Sequence, residues 1–272
     1  MKKKKRVIPG FRLSFGIVTA ILGLLVVIPL CTLVLYSLEL SFHDFIANVT
    51  SPRTLASYKV SILTSLTASL INAVMGLMIA WVLVRYSFPF KRLMDGIIEL
   101  PFALPTAVAG ISLTHLTVPQ GWIGKFFADK GIQIAYTKIG ITTALVFIGI
   151  PFVVRSVQPV LEKLEPEYEE AAAMLGASRA QAFFHVVLPE IFPSLFAGFT
   201  MAFARCIGEY GSVVFIAGNT PYKTEITPLI IMAKLQEFDY AGATSIALIM
   251  LVLSFLILFI NALVQNHAGK FS

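Results

Sequence analysis

Glu162-Lys163-Leu164-Glu165-Pro166-Glu167-Tyr168-Glu169-Glu170-Ala171-Ala172-Ala173-Met174-Leu175-Gly176-Ala177-Ser178-Arg179-Ala180-Gln181 is a polar, helix-forming stretch set between two apolar ones. Five of its first nine residues are acids, with Pro166 among them. Proline at a first helical position and acids in the first turn mark a helix start. Ala171 to Leu175 continue as strong helix formers, and Gly176 supplies a stop. Ser178 with Gln181 reads as a capping box opening a second short helix. Leu188-Pro189 and Pro193 are expected to break that helix in turn. Residues 162–191 therefore predict a compact, bent helix pair projecting into water.

What flanks this loop is built for lipid. Of 272 residues, 57% are hydrophobic and 13% charged, about half the charge of a soluble domain, and the mean hydropathy is +0.83. Crossing about 30 Å of hydrocarbon takes about 20 helical residues. Stretches of that kind run over 13–38, 60–84, 100–118, 139–161, 192–218 and 241–264. The expected fold is thus an all-α membrane protein with six transmembrane helices, a single domain over 1–272. Pro101 and Pro105 interrupt the third span. They read either as simple kinks or as a gate where irregular backbone lines a pore.

Six crossings put both ends on one side, and the lysines and arginines choose which. The amino-terminal side carries thirteen, beginning with Lys2 to Lys5 and Arg6, against seven opposite. The positive-inside rule then makes both termini cytoplasmic and exposes the 162–191 loop to the cytoplasm. The basic run Met1 to Arg6 is a topology signal ahead of an uncleaved anchor, with no nucleic-acid partner implied. Cys31 and Cys206 lie far apart in apolar stretches, as small core residues, with no metal-ligand spacing.

Chemistry-bearing residues are few. Arg205 and Glu209 fall inside the fifth span, four apart, so they share a helix face and can pair. Intramembrane charges are costly and mark ion or substrate paths, so the alternative is that Arg205 helps a dianion pass. His43, His115, His185 and His267 are scattered without catalytic spacing, which argues against a membrane-embedded enzyme. The chain holds no G-x-x-x-x-G-K-[ST] phosphate loop, so energy from ATP would have to come through another chain. No cofactor is expected. An ion-coupled secondary transporter is the competing class.

Glu170-Ala171-Ala172, three residues, Gly176, nine residues, then Val186-x-Leu188-Pro189 resembles the loop of binding-protein-dependent ABC importer permeases. That family's pattern is E-A-A, three residues, G, nine residues, I-x-L-P, from which only Val186 departs. Further blocks are similar to sulfate/thiosulfate permeases: Leu100 to Gly110 with Pro101, Pro105 and Thr106, Arg205 to Asn219, and Lys223 to Leu229. The Gly208-Glu209-Tyr210-Gly211 block is shared with molybdate permeases. The likeness runs from about Pro9 to Ala262. It implies a type I ABC importer permease fold in the bacterial cytoplasmic membrane. Glu169, Glu170, Ala171, Ala172, Gly176, Val186, Leu188 and Pro189 would meet the ATPase. Pro101, Pro105, Thr106, Arg205 and Glu209 would lie on the substrate path. The partners implied are ABC ATPase subunits, a second related permease subunit, an extracytoplasmic sulfate-binding protein and membrane lipid.

Overall fold

The computed structural model describes residues 11–165 and 167–268. The basic run 1–6, Pro166 and Lys270 lie outside these residues. Among the described residues there is no strand. The helices are α1 (Phe11–Leu22), α2 (Ile28–Ser37), α3 (Phe42–Val49), α4 (Pro52–Arg85), α5 (Lys91–Ile98), α6 (Leu100–Ala103), α7 (Thr106–Thr117) and α8 (Trp122–Ala128). After them come α9 (Lys138–Lys163), α10 (Glu167–Met174), α11 (Arg179–Ala182), α12 (Leu188–Ile207), α13 (Val213–Ile216), α14 (Thr227–Gln236) and α15 (Tyr240–Ala268). Single π-helical turns over Gly23–Val27 and Phe183–Val187 join α1 to α2 and α11 to α12.

Five helical stretches are long and apolar enough to cross a membrane: Leu13–Ser37, Pro52–Arg85, Lys138–Lys163, Arg179–Ile207 and Tyr240–Ile260. The stretch 100–118 is not among them. Pro105 takes an extended conformation (φ −55°, ψ 129°) ahead of α7 and splits the third span into a four-residue and a twelve-residue helix. The fifth span ends earlier than 218, because Gly208 leaves helical geometry (φ −99°, ψ 9°).

The bundle is organised around α4, α9 and α12. Along α4, Ser57, Ser61, Ser65, Ser69, Asn72, Gly76 and Ala80 are buried, nearly all four residues apart, and small side chains at that spacing let helix backbones approach closely in a membrane. A Cβ on Gly76 would sit 2.7 Å from the Val153 side chain of α9. Two apolar clusters fill the seam. One gathers Leu83, Val154, Val157, Leu161, Val187 and Ile191, and the other Val60, Ile141, Leu145, Val213 and Ile226. By contrast α1 exposes every large apolar side chain described on it, from Phe11 to Leu22. Cys206 is buried as expected, but Cys31 is exposed on α2, which the bundle covers on one side only.

One expectation about the loop is corrected. Pro189 and Pro193 do not stop the second short helix, which runs on through the π turn into α12. A π turn is wider than an α turn, and it leaves room for the Pro189 ring in the first turn of α12. The second short helix and the fifth span are therefore one continuous rod over Arg179–Ile207, with α10 set off from it by the turn at Gly176.

Candidate functional site

The turn between α10 and α11 is locked by its own backbone. Gly176 adopts φ +86°, the left-handed conformation that glycine takes without steric penalty. The Ala177 amide donates to the Ala172 carbonyl (3.0 Å) and the Gly176 amide to the Ala173 carbonyl (2.9 Å), the paired bonds of a Schellman cap. Ser178 then starts α11 with the expected capping box. The Gln181 amide donates to Ser178 Oγ at 3.3 Å, and the Ser178 amide to Gln181 Oε1 at 2.8 Å.

At the tip, Met174 and Leu175 are each 90% exposed. Sequence reasoning passed over them as helix formers, although two large apolar residues beside a stop glycine are the signal that could have singled them out. Ala171, Ala173 and Glu170 are exposed beside them, while Ala172 is half-buried. Other members of the expected set face inward. Val186 and Leu188 are half-buried around the fully buried Val187, which packs with Val157 and Leu161 of α9, and only Pro189 of that trio is exposed. The loop thus has an outer face, carrying Glu170, Ala171, Met174, Leu175 and Gly176, and a root that fastens it to the bundle.

The adjacent glutamates part company. Glu169 turns back toward Arg85 at the end of α4, with Nη2 and Oε1 2.8 Å apart but without hydrogen-bond alignment, so the attraction is charge to charge. Arg85 also donates to the Leu164 carbonyl at the end of α9 (3.2 Å) and lies over the Trp81 ring.

Deeper in the bundle, Arg205 and Glu209 do pair. Glu209 is 3% exposed, and it accepts from Arg205 Nη1, the Ser212 amide (2.9 Å) and Ser212 Oγ (3.0 Å). Its carboxylate is thereby engaged on both oxygens, while Arg205 keeps donors free and is partly exposed. Thr106, at the start of α7, sits so close to Gly211 that any Cβ there would strike its hydroxyl. Pro105 and Thr106 are thereby brought to the Glu209–Ser212 turn. Pro101 stands apart on α6, beside Phe102, whose ring meets Phe152 of α9 edge to face at 5.1 Å.

Two further ion clusters were not read from the sequence, because their partners are distant in the chain. Arg53 at the start of α4 grips the buried Glu225 through Nε (2.8 Å) and Nη2 (2.6 Å), and Ser61 Oγ accepts from the Thr227 amide (2.8 Å). That joins the Lys223–Leu229 block to α4. Arg155 of α9 meets Asp95 of α5 and Glu99 just past its end, each at 2.8 Å.

Residues 72–270 match a family model described as a binding-protein-dependent transport system inner membrane component. The chain is 48% identical over 266 residues to the sulfate transport system permease protein CysT of Salmonella typhimurium, covering 98% of this chain and 96% of that one. It is 44% identical to the protein of the same description from Synechocystis, over 92% of this chain and 87% of that one. In fold it is similar to the crystal structure of a bacterial ABC transporter involved in the import of the acidic polysaccharide alginate. The TM-score is 0.76 at 16% identity, over 95% of this chain and 96% of that one. A methionine ABC transporter in an inward-facing conformation aligns with a TM-score of 0.59 at 16% identity, over 79% of this chain and 95% of that one. Matched through most of its length by the family model and by relatives close to half identical, the chain belongs to the family of binding-protein-dependent transport system inner membrane components.

Proposed function

We propose that this chain is the membrane-spanning subunit of an ATP-driven sulfate importer, and that α10, Gly176 and α11 dock on a separate ATPase. The observation that carries the docking is the tip, where Met174 and Leu175 stand 90% exposed on a rigidly capped turn. Two large apolar side chains held out on a polar loop fit a surface meant to be covered by another protein. Ala171 and Gly176 beside them leave little bulk to keep a partner away. The relatives that match across nearly the whole chain are named as sulfate permeases, which supports sulfate as the cargo.

In this reading the 100–118 pieces complete a sixth crossing and both termini are cytoplasmic. A second, related permease subunit completes the pore, and a binding protein delivers the anion from outside. Arg205 lies on the path. Its one carboxylate partner is itself engaged by Ser212, and the donors it keeps free suit a passing dianion. Transport is alternating access: closure of the ATPase pair moves the helix pair, and the rod that α11 forms with α12 carries that motion into the membrane.

Radiolabelled sulfate uptake in cells lacking this chain, with and without the gene restored, tests the proposal. Uptake that returns only with the gene, requires ATP and resists excess molybdate is the expected result. Chain present in the membrane with molybdate uptake alone would move the cargo to that oxyanion. Uptake driven by an ion gradient without ATP would overturn the importer class.

A further inference from the structure

Glu169 and Glu170 are neighbours on α10, so their side chains leave the helix about 100° apart and cannot serve one surface. Glu170 points to solvent with the tip, and Glu169 points to Arg85. We infer that Glu169 is not an ATPase contact but the positioning residue that fastens the docking helix to α4. This rests on the reading of α10 and α11 as the docking element.

Several observations converge on that junction. The described residues of α10 include none that is buried, so packing alone does little to hold it. The ion pair is mostly screened from water, with Arg85 16% and Glu169 30% exposed. Arg85 is a three-way joint. It belongs to the last turn of α4, donates to the terminal carbonyl of α9 and attracts Glu169 of α10. Its guanidinium stands 5.6 Å from the Trp81 ring centre, and Trp81 meets Phe183 of the π turn edge to face at 5.3 Å. A force on α10 therefore reaches the ends of α4 and α9 through one guanidinium.

The joint also holds unmet polar demand. Arg85 Nε and Glu169 Oε1 are shielded from solvent and neither has an aligned hydrogen-bond partner. Buried polar atoms without aligned partners are costly, so this junction is held by charge attraction and not by a satisfied hydrogen-bond network. Such a joint ties a displacement of α10 to the ends of α4 and α9. A docking contact would instead leave Glu169 outward and Arg85 indifferent to it.

The test uses the full transporter in proteoliposomes, with Glu169→Gln, Arg85→Gln, the double variant and the exchange of Arg85→Glu with Glu169→Arg. Retained ATPase subunit, ATP hydrolysed and radiolabelled sulfate moved are measured on each. The expected result is retained ATPase in both single variants and about tenfold less sulfate moved per ATP, within the range of coupling between contacting residues. The double variant should fall no lower than the worse single one, and the exchange should recover much of the loss. Loss of the ATPase in Glu169→Gln but not in Arg85→Gln would make Glu169 a docking contact and overturn the inference. So would a double-variant loss equal to the product of the single ones. If the Arg85 variants fail to reach the membrane, Glu169→Gln and Glu169→Asp decide on the same two readouts. Retained ATPase with poor coupling in Glu169→Gln, partly restored in Glu169→Asp, supports positioning, whereas normal coupling in both overturns it. A Met174→Ser, Leu175→Ser variant that keeps its ATPase would sink the underlying docking reading instead, and so separates the two failures.

Discussion

Arg205 shows what a single residue's surroundings decide. Its spacing to Glu209 is legible in the sequence, and the pair forms. The third member, Ser212, is not legible, because it depends on α12 ending at Gly208 and the chain turning back. With Glu209 held from two sides, removing the arginine charge leaves a buried carboxylate that keeps two of its three donors. Arg205→Gln is therefore expected to reach the membrane at the normal level and to slow sulfate uptake severalfold. Immunodetection of the membrane fraction beside initial uptake rates checks this, and normal uptake would leave Arg205 with a structural role alone. Glu169 makes the opposite point. Identity and motif position placed it with Glu170, and only the rotation of the helix separates them.

At the scale of elements, the helix pair was readable nearly residue by residue. Acids, alanines, Gly176 and the Ser178–Gln181 box are local signals, and local signals fix a Schellman turn and a capping box. The continuation through Pro189 was not readable, since proline ordinarily ends a helix and the compensating π turn leaves no mark in composition. That continuity matters for mechanism, because a rod transmits torque and a jointed loop absorbs it. Gly176 is where the rod meets α10. No atom lies within 4 Å of a Cβ built there, so the position resists substitution through its backbone angle and not through crowding. Placing an ordinary residue in left-handed geometry costs about 1–2 kcal/mol, more for a β-branched one. Gly176→Val should thus insert normally while losing most sulfate uptake, and full uptake in that variant would end the lever account. The stripe of small residues on α4 was also present in the sequence. It went unseen because a charge-free span reads as lipid-facing all round until its neighbours are known.

The whole molecule has a dense middle and open flanks. α4, α9 and α12 close on each other through serines, glycines and alanines, while α1, the outer face of α4 and the far end of α15 present leucine, phenylalanine and valine outward. A water-soluble protein could not leave so much apolar surface uncovered, and here lipid and the proposed second subunit cover it. Orientation is a property of this scale alone, resting on a charge count over every loop. With Cys31 and Cys206 replaced by alanine, a cysteine at Asp129 should react with a membrane-impermeant maleimide in intact cells. One at Leu175 should react only after the cells are opened. The reverse pattern would invert the topology and remove the helix pair from the compartment that holds ATP.

The bare tip of Met174 and Leu175 has a consequence for how this protein is made. In the proposed topology and docking, each newly inserted copy shows the cytoplasm two greasy side chains on a stiff turn until the ATPase covers them. Such a surface invites chaperones, proteases and chance self-association. On that proposal surplus copies are expected to be short-lived, and the balance between the two gene products becomes a matter of survival for this one. A laboratory that overproduces the chain alone should expect low yield and clumping, and should co-express the ATPase before changing detergents.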